Sequence, residues 1–139
     1  MTDHFYVPNF NTATLMNFIS TRNNAPAATL SQAIAAGLAP DGGLYVPEQL
    51  PVARQLRHGE NLADTATQLI TPFFEGDALA AELPAICREA FDFPAPLLPL
   101  ATPNDQVLEL FHGPTAAFKD FGARFLAACL TRLHQQTDL

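Results

Sequence analysis

Three prolines fall within seven residues in Phe93-Pro94-Ala95-Pro96-Leu97-Leu98-Pro99. Each one fixes φ and removes an amide donor, so no helix can pass through this run and it is expected to be an extended connector. It is the clearest boundary in the chain, because the sequence changes character across it. Before it lie short helical patterns interrupted by glycine and proline. After it come one apolar, strand-like run and one long amphipathic pattern.

On the N-terminal side, residues 1–15 show no period and form an extension with little to order them, ahead of a body that begins near Met16. Thr29-Leu30-Ser31-Gln32 has the form of a capping box, which predicts a helix starting at Thr29 and running through Leu30, Ala33, Ile34 and Leu38. Gly37 is placed to end that helix in a left-handed conformation. Asp41-Gly42-Gly43 then predicts a tight turn, and Leu44-Tyr45-Val46 a short strand stopped by Pro47. Asn61 can cap a second helix carrying Leu62, Ala66, Leu69 and Ile70 on one face, with Pro72 closing or bending it. A further helical stretch from Asp77 to Ala90 contains Pro84, which splits it or opens a new helix, so two short helices are expected.

On the C-terminal side, Val107-Leu108-Glu109-Leu110-Phe111 has the composition of a buried strand in a sheet covered on both faces. A turn through His112, Gly113 and Pro114 leads into a helix that Thr115 could cap. Its apolar stripe comprises Phe118, Phe121, Phe125 and Cys129 with Gly122, Leu126, Leu130 and Leu133. Strand, glycine-containing turn and packed helix make half of a βαβ unit, and ligands gather where such a strand meets the helix that follows. Lys119, the only lysine in the chain, falls in that place. A lysine there can be a reacting amine that binds carbonyl compounds as a Schiff base, or it can be a solvated cation in a sequence that otherwise uses arginine. A phosphate loop is excluded, because the pattern needs glycine and a hydroxyl where Phe118 and Asp120 stand.

A formal charge of −7 and a pI near 4.8 exclude the basic face that nucleic-acid binding requires. With 48% hydrophobic and 15% charged residues, a chain of 139 residues can bury a core. No apolar stretch is long enough to span a membrane, and the N-terminus lacks the pattern of a signal peptide. Cys87 and Cys129 lie in apolar helical contexts without metal-ligand spacing, which predicts buried, reduced thiols, no metal site and a cytoplasmic location.

The run from Phe111 to Phe121, with His112-Gly113-Pro114-Thr115-Ala116-Ala117-Phe118-Lys119-Asp120 at its centre, closely resembles the pyridoxal-phosphate lysine segment of threonine synthases. Met16-Asn17-Phe18-Ile19-Ser20-Thr21-Arg22 resembles the start of those enzymes, and Gly37 to Pro47 resembles their second N-terminal signature. The resemblance covers Met16 to about Leu133. It implies an α/β chain with a mainly helical N-terminal domain with short strands over 16–94. From 95 to 139 would follow the first strand and lysine-bearing helix of a fold-type II pyridoxal-phosphate domain. It also implies conversion of O-phospho-L-homoserine and water to L-threonine and phosphate. Lys119 would be the Schiff-base residue, with a pKa lowered by partial burial against Phe118 and Phe121 and by helix dipoles. His112 and Thr115 would face the cofactor or the substrate phosphate, although a turn-stabilising histidine and a capping threonine are equally ordinary roles. Asp120 would favour the helix N-terminus, and Arg22 would close a surface turn. In the family the phosphate cradle and the partner of the ring nitrogen come from later sequence. The chain is therefore expected to need the rest of a longer polypeptide, and by itself to be inactive. A silent fragment that associates with other chains, or a related phospholyase, are the alternatives.

Overall fold

A computed structural model describes residues 15–51 and 61–137, so all of the 1–15 extension but Leu15 lies outside the described residues. The first unit consists of β1 (Phe18–Ser20), α1 (Leu30–Ala36) and β2 (Tyr45–Pro47). β1 pairs antiparallel with β2, with Ile19 opposite Val46. Three residues are too few to show an alternating period, so β1 has no signature of its own in the sequence.

α1 begins as its capping box predicts. Thr29 Oγ1 accepts from the Gln32 amide at 3.2 Å, and Gln32 Oε1 accepts from the Thr29 amide at 2.9 Å. Gly37 does end the helix with positive φ, at +71°, but its ψ of −48° is not that of a left-handed helical cap. The Leu38 amide instead donates to Ala36 O at 2.8 Å, closing a three-residue turn around the glycine. The Asp41-Gly42-Gly43 turn is tied to β1: Asp41 Oδ1 accepts from Ser20 Oγ at 2.7 Å and from the Gly43 amide at 2.9 Å.

α2 (Leu62–Phe74) starts at Asn61, whose side chain accepts from the Asp64 amide at 3.0 Å. Pro72 does not close this helix. It lies in the last turn, where it costs a single backbone bond, and the buried Phe74 beyond it packs edge-on against Phe125 at 6.1 Å. The stretch from Asp77 does divide in two, as a 3₁₀ turn over Ala80–Glu82 and α3 (Leu83–Ala90) with Pro84 in its first turn. Asp77 is buried. It accepts from the Ser31 amide at 2.9 Å, from the Ser31 hydroxyl, and from the Leu79 amide at 3.0 Å, so it caps α1 from 46 residues away.

The proline run is more than a connector. It contains β3 (Leu97–Pro99), which forms an antiparallel hairpin with β4 (Gln106–Leu108), Leu97 lying opposite Leu108. A two-stranded ribbon tolerates proline because each strand has a free edge. The expected buried strand over 107–111 is therefore corrected: β4 is shorter, antiparallel and exposed. No helix covers either face among the described residues, and Leu97, Leu98, Val107 and Leu108 are all exposed.

α4 (Lys119–Thr137) packs against α3 and α1. Its expected apolar stripe divides lengthwise. Phe125 and Leu133 lie against the core with the fully buried Cys129, whereas Phe118, Leu126 and Leu130 are exposed. The core is completed by Leu79, Leu83, Ile86 and Cys87, and Phe91 stacks on Phe125 at 5.8 Å. The whole is a mixed α/β fold with short sheets. No helix of the described residues is long and apolar enough to cross a membrane.

Candidate functional site

Between β4 and α4 the chain makes a turn whose shape depends on one carboxylate. The Ala116 amide donates to Gly113 O at 3.0 Å, and Ala116 has φ +53°, left-handed although it is not glycine. Asp120, the second residue of α4, is only 4% exposed, and its carboxylate turns back over this turn. Oδ2 accepts from the Thr115 amide at 2.9 Å and Oδ1 from the Thr115 hydroxyl at 2.7 Å. The Thr115 hydroxyl, more than any other group, holds the Asp120 carboxyl below its ordinary pKa. Gly113 lies so close that a Cβ there would come within 2.5 Å of Asp120 Oδ2.

Thr115 therefore does not cap a helix starting beside it. α4 begins four residues later, at Lys119. The two donors of Thr115 are turned toward Asp120, whose expected role at the helix N-terminus is enlarged to holding the turn. Lys119 stands at the head of α4, exposed, and no carboxylate pairs with it among the described residues. The partial burial expected from Phe118 and Phe121 is not found, because Phe118 is itself 68% exposed. His112 Nε2 meets Glu109 Oε2 at 2.6 Å, and its ring stacks on Phe111 at 4.7 Å. His112, Thr115 and Lys119 are each exposed. Arg22 is elsewhere: its Nη1 donates to Asp41 O at 3.0 Å, tying the turn after β1 to the Asp41 turn, while the Asn23 amide on Ser20 O closes the turn itself.

A groove of about 1000 Å³ runs between the start of α2 and the proline run, with Phe91, Phe93, Leu110 and Phe121 among its lining. Lys119 does not line it. Cys87 and Cys129 are buried and unpaired, and the apolar surroundings push the Cys129 thiol up to about 11.

Arg124 has no signature in the sequence as an anchor, since it interrupts the apolar stripe of α4. Its Nε donates to Ala90 O at 2.9 Å and its Nη2 to Glu89 O at 2.8 Å, so it caps the C-terminus of α3 and fixes α4 there.

A family model described as "Threonine synthase N terminus" matches residues 17–91, more than half of the chain. A threonine synthase of Pseudomonas aeruginosa is 42% identical over 124 residues, covering 83% of this chain and 26% of that protein. One from Escherichia coli K12 is 37% identical over 122 residues, covering 85% and 28%. The crystal structure of a PLP-bound threonine synthase from Brucella melitensis superposes with a TM-score of 0.77 at 38% identity, covering 88% of this chain and 28% of that one. The chain spans about a quarter of the length of the relatives it matches. With the matched segment containing both paired strands of the first unit and all of α1, α2 and α3, the chain belongs to the threonine synthase family.

Proposed function

We propose that this chain is the N-terminal part of a threonine synthase and carries its cofactor-bearing lysine, Lys119. The whole polypeptide would convert O-phospho-L-homoserine and water to L-threonine and phosphate, using pyridoxal 5′-phosphate. The observation that carries this is the sole lysine, exposed and unpaired among the described residues, at the head of α4 behind a turn held by Asp120. A free primary amine fits the covalent attachment that an aldehyde cofactor needs. When bound, pyridoxal phosphate supplies a ring that accepts electrons from the carbon next to the amine. Lys119 Nζ would hold the cofactor through its aldehyde carbon. The same amine would move protons at the substrate Cα and Cβ. His112 and Thr115 flank the turn before Lys119 and would face cofactor or substrate phosphate, the first now held by Glu109 and the second by Asp120. Residues 16–94 would form the N-terminal domain, and 95–139 would begin a fold-type II domain continued by the rest of the polypeptide. Buried, unpaired Cys87 and Cys129 accord with a reducing, cytoplasmic setting.

The test uses a polypeptide of full family length that contains this sequence. Phosphate release from O-phospho-L-homoserine is expected to fall by at least about 10²-fold in Lys119→Ala, the scale of losing a positioned proton-transfer group. Retention of activity within tenfold of wild type would refute the assignment. Product analysis separates threonine formation from simple elimination of phosphate. The 139-residue chain alone is expected to take pyridoxal phosphate on Lys119 without releasing phosphate from the substrate.

A further inference from the structure

Given the assignment of Lys119 as the cofactor-bearing amine, we infer that Asp120 is its positioning residue. The buried carboxylate clamps the Gly113–Ala117 turn shut through Thr115 and so fixes where Lys119 Nζ is presented. A carboxylate that only complemented the helix dipole could stand in solvent, as first-turn acids commonly do. Asp120 is withdrawn from solvent beside an exposed lysine, and burial of a charge is costly unless its acceptors are filled. Both oxygens are filled from one residue, Thr115, five positions earlier.

The rest of the turn fits around that carboxylate. Gly113 leaves it room, since a Cβ there would sit 2.5 Å from Oδ2 and 2.8 Å from the Asp120 Cβ. Ala116 holds φ +53°, which a non-glycine residue keeps only where its surroundings impose it. Ala117 receives the Asp120 amide on its carbonyl at 3.0 Å, so both ends of Asp120 grip the turn. Phe118, the one residue left between the turn and Lys119, is exposed, and its own contacts run forward into α4, its carbonyl accepting from the Phe121 amide at 3.2 Å and its ring lying 5.8 Å from that of Phe121. Lys119 thus leaves the backbone from a segment defined on both sides by its neighbour. The lowered Asp120 pKa accords with a carboxylate that stays ionised in the clamp.

The chain offers only two amines to an aldehyde, Lys119 Nζ and the α-amino group, so the second is an internal reference. The chain is treated with limiting pyridoxal phosphate, reduced with borohydride, and the pyridoxyl group on each amine is quantified by peptide mass spectrometry. Wild type is expected to label both amines, and its Lys119 to α-amine ratio sets the reference. Thr115→Val, at an exposed residue, and Asp120→Ala are expected to lower the Lys119 to α-amine ratio about tenfold, the scale of losing a hydrogen bond to a charged group. Thr115→Ser and Asp120→Asn, which can still bond, are expected to stay within about threefold of wild type. Amide exchange over 113–117 should quicken in the two disruptive variants while α3 stays protected.

A wild-type Lys119 to α-amine ratio that Thr115→Val and Asp120→Ala leave unchanged would overturn the clamp alone. Wild type that carries the pyridoxyl group on the α-amine alone would overturn the Lys119 assignment itself, before any variant is made. Asp120→Ala that fails to fold leaves the decision to Thr115→Val, where the carboxylate and its effect on the helix dipole are intact.

Discussion

Arg124→Met should weaken the fold far more than a surface arginine would, because Arg124 joins the helix that begins with Lys119 to the end of α3. The guanidinium donates to Ala90 O at 2.9 Å and Glu89 O at 2.8 Å, carbonyls that a helix C-terminus leaves without intrahelical partners. It also meets Asp92 Oδ1 at 2.7 Å, with Asp92 61% and Arg124 30% exposed. Hydrogen bonds from a charged donor contribute about 1.5–3 kcal/mol each, and partial exposure places these two near the low end, about 3 kcal/mol together. The exposed ion pair adds no more than about 0.5 kcal/mol. Methionine keeps part of the aliphatic packing, so the net cost is about 2–3 kcal/mol. At roughly 4 °C per kcal/mol for a domain of this size, the melting temperature should fall by about 10 °C. Urea titration followed by far-UV circular dichroism gives the number directly, with an unchanged m-value marking a pure stability change. Asp92→Asn should cost under about 0.5 kcal/mol, and Arg124→Lys should lose most of what methionine loses, since an ammonium lacks the fork that reaches both carbonyls. If Arg124→Met stays within about 0.5 kcal/mol of wild type, or Asp92→Asn costs as much as Arg124→Met, carbonyl capping is not what holds α4 to α3.

Asp77→Ala should cost about 3 kcal/mol in the same titration, because it strips an acceptor from the Ser31 amide, the Ser31 hydroxyl and the Leu79 amide; Asp77→Asn should recover part of this. Gly43→Ala should cost about 2 kcal/mol through overpacking, since the new Cβ would lie 2.1 Å from Ser20 Oγ, and it should cost less in a Ser20→Ala background, where only the milder contacts with Asp41 Oδ1 at 3.0 Å and the Arg22 amide at 3.1 Å remain. The Cys129 thiol is raised to about 11, above its unfolded value near 9, so its contribution is complete below about pH 9 and is lost as pH climbs toward 11. Equilibrium stability from pH 8 to 11 should therefore fall more steeply in wild type than in Cys129→Ala, and parallel curves would count against the assignment.

The parts of the fold legible in the sequence are those whose partners lie within one helical turn. Thr29 and Gln32 close their box over three residues, and Asn61 caps Asp64 over the same interval, so residue type and spacing are enough. Pro84 divides the 77–90 stretch because its missing amide acts on its own turn. Contacts across longer intervals leave no such trace. Asp77 reaches Ser31 over 46 residues and Arg124 reaches Glu89 over 35, and neither residue differs in its local sequence from an ordinary surface charge. The hairpin is a different failure. Apolar residues in Val107 to Phe111 suggested a strand covered on both faces, but hydrophobicity reports what a segment could bury and not whether a partner lies against it.

The candidate site was half legible for a related reason. A glycine turn between a strand-like run and an apolar helix pointed to Lys119 from local pattern alone. The start of that helix was misplaced because Thr115 has the chemistry of a cap and its real partner, Asp120, has the chemistry of a first-turn acid. Ala116 decides between the two arrangements. A helix starting at Thr115 would need negative φ at Ala116, which alanine prefers, whereas the observed +53° costs about 1 kcal/mol and is held by the closed turn. The difference in outcome is large for the lysine. Begun at Thr115, the helix would carry Lys119 a full turn inside, about 6 Å from its head and on its flank. Delayed by the Thr115–Asp120 bonds, α4 begins at Lys119, and the amine stands at the helix head, facing away from the core that anchors the rest of the helix.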